Sequence, residues 1–112
     1  MKLDTARKLA LEIRESEEFT AFKKAEKKAM SNEYVAGLIK AFGVLQSSLQ
    51  MQSLNGTEPD ETQVQQFSRL SSLLYDTEEG SAYLLAQLRL QKIVGDILQI
   101  ITKAAELPLS EE

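Results

Sequence analysis

Four lysines, Lys23, Lys24, Lys27 and Lys28, make the densest charge cluster in the sequence. Lys23 and Lys27, and Lys24 and Lys28, are four apart, so on a helix they share one surface and form a basic patch. Such a patch suits docking of an acidic protein surface or of RNA. It is equally a solvated face balanced by Glu17, Glu18 and Glu26. Carboxylates pair at Glu17/Glu18 and Glu78/Glu79. Both pairs fall at expected helix starts, where acids complement the helix dipole, so capping accounts for them without catalysis.

The sequence has no His and no Cys. The usual proton shuttle at neutral pH, the Ser-His-Asp triad, the cysteine nucleophile and the common zinc sites are therefore missing. Ser47, Ser48, Ser71 and Ser72 have no His to activate them. A di-metal carboxylate bundle needs Glu-x-x-His on facing helices, and no Gly-rich phosphate loop is present. No catalytic residue, cofactor or metal ligand is expected. Met30 and Met51 are expected to fill core.

The elements that carry these residues are expected to be helices only. The 112 residues are 43% hydrophobic and 27% charged, with 5 Gly and 2 Pro, a globular balance that favours helix and one domain spanning 1–112. The net charge of −4 argues against a general nucleic-acid binder, DNA included, because phosphate neutralisation needs positive surface. No apolar run is long enough for a transmembrane helix, and the start lacks the apolar stretch of a signal peptide, so a cytoplasmic location is expected.

Leu3 to Glu15 carries Leu3, Ala6, Leu9, Ala10 and Ile13 on one stripe. Ser16 is a candidate N-cap for a second helix over Glu17–Met30 that buries Phe19, Phe22, Ala25 and Ala29. The alternative is one helix bent at Ser16. Ser31 and Asn32 cap a long third helix with the seam Val35, Leu38, Phe42, Leu45, Leu49 and Gln52. Asn55-Gly56 ends it, and Asp60 with Gln63 resembles a capping box for a fourth helix, Glu61 to Tyr75. The short link makes these two antiparallel neighbours. Asp76, with Glu79 reaching back, is expected to cap a fifth helix from Thr77 to about Glu106, ended by Pro108. The fold class is an all-α bundle of four to five helices with long third and last members.

The last helix carries two adjacent apolar seams: Tyr83, Ala86, Leu90, Ile93, Ile97, Ile100, Ala104, and beside it Val94, Leu98, Ile101, Ala105. Together they are wider than a two-helix contact needs. Burying a large aliphatic contributes ~1.5–3 kcal/mol, so both seams are expected to be covered. A homodimer, or assembly with a similar subunit, covers the surplus through Leu90, Ile93, Val94, Ile97, Ile100 and Ile101. A monomer whose first helix folds across the gap is the alternative.

The order of these elements resembles the YlbF/YmcA-like family of small helical bacterial proteins, which includes uncharacterised YheA-like members. The likeness rests on Asp4-x-Ala6-x-x-Leu9-Ala10-x-x-Ile13, the Ser16-Glu17-Glu18-Phe19 turn, Leu38-Ile39-Lys40-Ala41-Phe42, the loop at Asn55-Gly56, and Leu84 to Leu90 with Ile97-x-x-Ile100-Ile101. The resemblance implies long helices in dimers or higher assemblies and a non-enzymatic regulatory role. The better-known members act in complexes that affect competence, sporulation and biofilm development and modulate RNA processing by the endoribonuclease RNase Y. Some carry cysteines that hold an iron–sulfur cluster. This chain has none, a departure that points toward the uncharacterised branch.

Overall fold

The computed structural model describes residues 1–108, and within them there are five helices and no strand. These are α1 (Asp4–Arg14), α2 (Glu17–Met30), α3 (Glu33–Leu54), α4 (Glu61–Tyr75) and α5 (Glu78–Ala104). Two compact units result. One is Met1–Lys23 with the chain from Leu85 onward; the other is Lys24–Leu84.

In the first unit, α1 and α2 are separate helices. Ser16 Oγ donates to the Ile13 carbonyl at 2.6 Å and accepts from the Phe19 N–H at 3.1 Å. One hydroxyl therefore closes α1 and opens α2, which settles the choice between a break and a bend. The Arg14 guanidinium lies 5.3 Å from the centre of the Phe19 ring, a cation–π contact across that break. Of the α1 stripe, only Leu9 and Ile13 are half-buried; Leu3, Ala6 and Ala10 are exposed.

The second unit holds most of the core. Ala29, Val35, Ala36, Ile39, Phe42, Leu74, Tyr83 and Leu84 are buried in it. Helices α3 and α4 pack antiparallel, with the Phe42 and Phe67 rings stacked at 4.6 Å and 21°. An offset stacked pair is a favoured aromatic geometry and fixes the register of the hairpin.

The hairpin link follows from local hydrogen bonding. Asn32 Oδ1 accepts from Val35 N–H at the start of α3. At its end Gly56 sits at φ 72°, with Gly56 N–H donating to Ser53 O and Thr57 N–H to Gln52 O. This is a Schellman closure, and the left-handed backbone is why glycine stands there. Asp60 Oδ1 accepts from the N–H groups of Thr62 and Gln63 and opens α4.

Four expectations are corrected. Gln63 does not reach back to Asp60. Its Oε1 accepts from Gln52 Nε2 at 2.6 Å and from Ser48 Oγ at 3.1 Å, and the Asp60 N–H donates to Gln52 Oε1. Gln52, expected on an apolar seam, is thus a clasp between α3 and α4, because its amide can donate and accept at once. The cap of α5 is Thr77, whose Oγ1 accepts from Gly80 N–H at 2.9 Å and donates to Leu74 O at 3.0 Å; Asp76 closes α4 instead. A Cβ on Gly80 would collide with the Leu74 carbonyl and Thr77 Oγ1, so this turn needs glycine for space. Met30 and Met51 are exposed, not core: Met30 is the last residue of α2, and Met51 lies off the α3 face that Ser48 and Gln52 turn toward α4.

Candidate functional site

Helix α5 changes character along its length. Up to Ala86 it supplies buried residues, Tyr83, Leu84 and Ala86. Beyond Ala86 none of its side chains is buried. Of the six residues expected at an interface, Leu90, Ile93 and Ile97 are half-buried. Val94, Ile100 and Ile101 stand at 39%, 69% and 51% exposure. Leu98, 53% exposed, belongs with them. Val94, Leu98 and Ile101 are spaced four and three apart and make one continuous strip beside the half-covered seam. That spacing was already visible as the second seam; which of the two seams the chain covers was not.

The flank around this strip is lightly charged. Lys92 pairs with Asp96 at 3.2 Å on the solvent side of the helix. The helix then closes as α3 does: Glu106 N–H donates to Lys103 O and Leu107 N–H to Thr102 O. Here the left-handed position, φ 58°, is held by Glu106, a residue that adopts it at a cost. Pro108 follows the closure.

The lysines lie on α2. Lys24, Lys27 and Lys28 surround an open cavity of about 350 Å³ completed by Ser31, and Lys23 is exposed one turn before. Ser31 Oγ donates to Lys28 O at 2.6 Å, satisfying a carbonyl left open by the helix end. Lys27 and Lys28 occupy the last turn, where cations complement the dipole. Both carboxylate pairs stand in first turns, Glu17 and Glu18 of α2 and Glu78 and Glu79 of α5.

Among the described residues Tyr83 is a buried titratable group, its phenol pushed above the ordinary value of 10.0 by burial and then by the charge of Glu26. Among the described residues there is no group of three or more Asp and Glu placed to hold a metal ion. No described helix is long and apolar enough to cross a membrane.

A groove that the sequence reasoning missed runs along the α3–α4 hairpin. It is about 470 Å³, open to solvent, and lined by Ala41, Val44 and Leu45 of α3 and Gln66, Arg69 and Leu70 of α4. The signal that could have found it is the scarcity of charge on these two helices.

Comparison with known proteins gives one consistent result. The family model described as control of competence regulator ComK, YlbF/YmcA, matches residues 3–106. A UPF0342 protein of Caldicellulosiruptor bescii is 37% identical over 106 residues, covering 92% of this chain and 87% of that one. A UPF0342 protein of Halothermothrix orenii is 29% identical over 96% of this chain and 92% of its own length. Among solved structures, a protein of unknown function (DUF964) from Bacillus stearothermophilus has the same fold, with TM-score 0.69 and 20% identity over 91% of this chain and 90% of that one.

Proposed function

Because the chain belongs to the YlbF/YmcA family, we propose that it is a non-enzymatic, cytoplasmic regulatory protein that works by protein–protein contact and assembles as a homodimer through α5. The observation that carries this reading is the strip Val94, Leu98 and Ile101, extended by Ile100, which the chain itself leaves in solvent. Full burial of a large aliphatic contributes ~1.5–3 kcal/mol, so four residues about half exposed hold ~3–6 kcal/mol in reserve per copy. Two copies hold ~6–12 kcal/mol, comparable with the ~4–15 kcal/mol cost of association. A dimer of micromolar order needs a surplus of about 8 kcal/mol beyond that cost, so the half-buried Leu90, Ile93 and Ile97 must complete their burial in the same contact.

Light scattering at micromolar concentration is expected to give twice the 12.5 kDa chain mass. Leu98→Glu is expected to return the single-chain mass with unchanged helical circular dichroism, since Leu98 is exposed. A single-chain mass for the unmodified protein at that concentration rules the dimer out.

The cavity ringed by Lys24, Lys27 and Lys28 favours a second reading, an RNA-associated factor that also engages Lys23. Binding of a single-stranded RNA that weakens steeply with salt, and is lost when these lysines become Glu, supports it. Salt-insensitive or unaltered binding removes it.

A further inference from the structure

The hairpin surface is nearly free of charge. The sequence holds 13 Lys+Arg and 17 Asp+Glu, yet α3 beyond Glu33 carries only Lys40 and α4 beyond Glu61 only Arg69. Both are cations in a chain of net charge −4. Gln and Ser supply the other polar positions: Gln46, Ser47 and Gln50 on α3, Gln65, Gln66 and Ser68 on α4. Charge depletion around an apolar centre is the compositional mark of an interface core, whereas a surface that only meets water is usually rich in both signs.

One cation lines the groove and the other lies one helical turn from its wall. Arg69 lines it on the α4 side. Lys40 lies one helical turn before Val44 and so flanks the α3 side. Neither makes an ion pair among the described residues. Val44, on the groove wall, is 70% exposed. The result is an apolar trough with an unanswered positive charge on each side.

We infer that the α3–α4 groove is a docking site for an amphipathic helix of a partner protein, one whose apolar stripe is flanked on both sides by Asp or Glu. The stripe fills the space over Ala41, Val44, Leu45 and Leu70, and the acids answer Lys40 and Arg69. A second copy of this chain is the wrong occupant, because two grooves face to face bring Lys40 and Arg69 against their own kind. Two cations beside an apolar floor are also too few for a polyanion, whose binding rests on many phosphate contacts. This deepens the proposal that the chain acts by protein contact, on which it rests, but it uses a different surface from α5.

The test uses fluorescein-labelled synthetic peptides about two heptads long, with Leu on one helical stripe and either Glu or Lys on both flanks. Anisotropy with the full-length protein is expected to show binding of the Glu-flanked peptide and at least about tenfold weaker binding of the Lys-flanked one. Lys40→Glu with Arg69→Glu is expected to reverse that preference, and Val44→Asp to abolish binding of both. All these positions are exposed, so circular dichroism is expected to stay unchanged. Equal binding of the two peptides, no binding of either, or a preference untouched by the charge reversal overturns the assignment. Loss of dimer mass in Val44→Asp would give the groove to self-association and overturn it as well. Failure of Leu98→Glu to alter the mass would count against the α5 dimer alone.

Discussion

The residues from Lys24 to Leu84 and those outside that span are built on opposite plans. Inside it, Ala29, Val35 and Leu74 are fully buried and five further apolar residues nearly so, with an aromatic stack and an amide clasp holding α3 to α4. Outside it, Ala86 is the only buried apolar residue among those described, although α1 and the rest of α5 carry apolar residues at helical spacing. A helix face that is apolar but not buried contributes little to the stability of its own chain and holds that free energy in reserve for a contact. One region therefore holds the buried core, and the other keeps apolar side chains in contact with solvent.

The largest expected effect breaks this contrast at its strongest point. Leu74→Ala removes a side chain with no exposure, so it is expected to lower unfolding free energy by about 2–5 kcal/mol. Leu98→Ala, the same chemistry at a half-exposed site, is expected to cost below about 1 kcal/mol when the single chain is measured at nanomolar concentration. Urea denaturation of both variants checks the pair, and equal losses would erase the distinction between the regions.

A smaller effect concerns Tyr83. Its folded-state pKa is raised above 10.0, first by burial and then by Glu26, so the folded protein holds the phenolic proton more tightly than the unfolded chain does. The stabilisation is complete below pH 10 and is lost as pH rises through the folded value. Denaturation midpoints are expected to fall on the alkaline side of that point, with a shallower fall in Tyr83→Phe. Superimposable alkaline profiles would remove Tyr83 as the source.

The smallest effect sits in the outer region. Glu106 occupies a left-handed position at φ 58° that glycine adopts without strain. Glu106→Gly is expected to stabilise the end of α5 by at most about 1 kcal/mol, read as slower amide exchange at Glu106 and Leu107. Gly56→Ala at the matching closure of α3 is expected to shift stability by a similar amount in the opposite direction.

The division between legible and illegible follows the reach of each interaction. Ser16, Asn32, Gly56 and Asp60 act on backbone groups within three or four residues, so their roles could be read directly from order and type. The five helices, with the long third and last, follow from such signals and from apolar spacing. The errors came where a partner is distant or where two local options compete. Gln52 was placed on a seam because its Gln63 partner lies on another helix. Asp76 and Thr77 are adjacent residues of equally good capping type, and the Thr77 hydroxyl, bonding both Leu74 O and Gly80 N–H, makes Thr77 the cap.

By itself the sequence determined that the chain is helical, which caps open α3 and α4 and which glycine closes α3, and that α5 carries apolar surface on two adjacent seams. Only the tertiary structure decided that Leu90, Ile93 and Ile97 are half-covered while Val94, Leu98 and Ile101 face solvent, and that Ala41, Val44 and Leu45 share one groove with Gln66, Arg69 and Leu70. The physical reason is that hydrogen bonds and helical periodicity are set by neighbours along the chain. Burial is set by whatever packs from elsewhere, and apolar attraction has no direction by which a sequence could specify the seam that is covered.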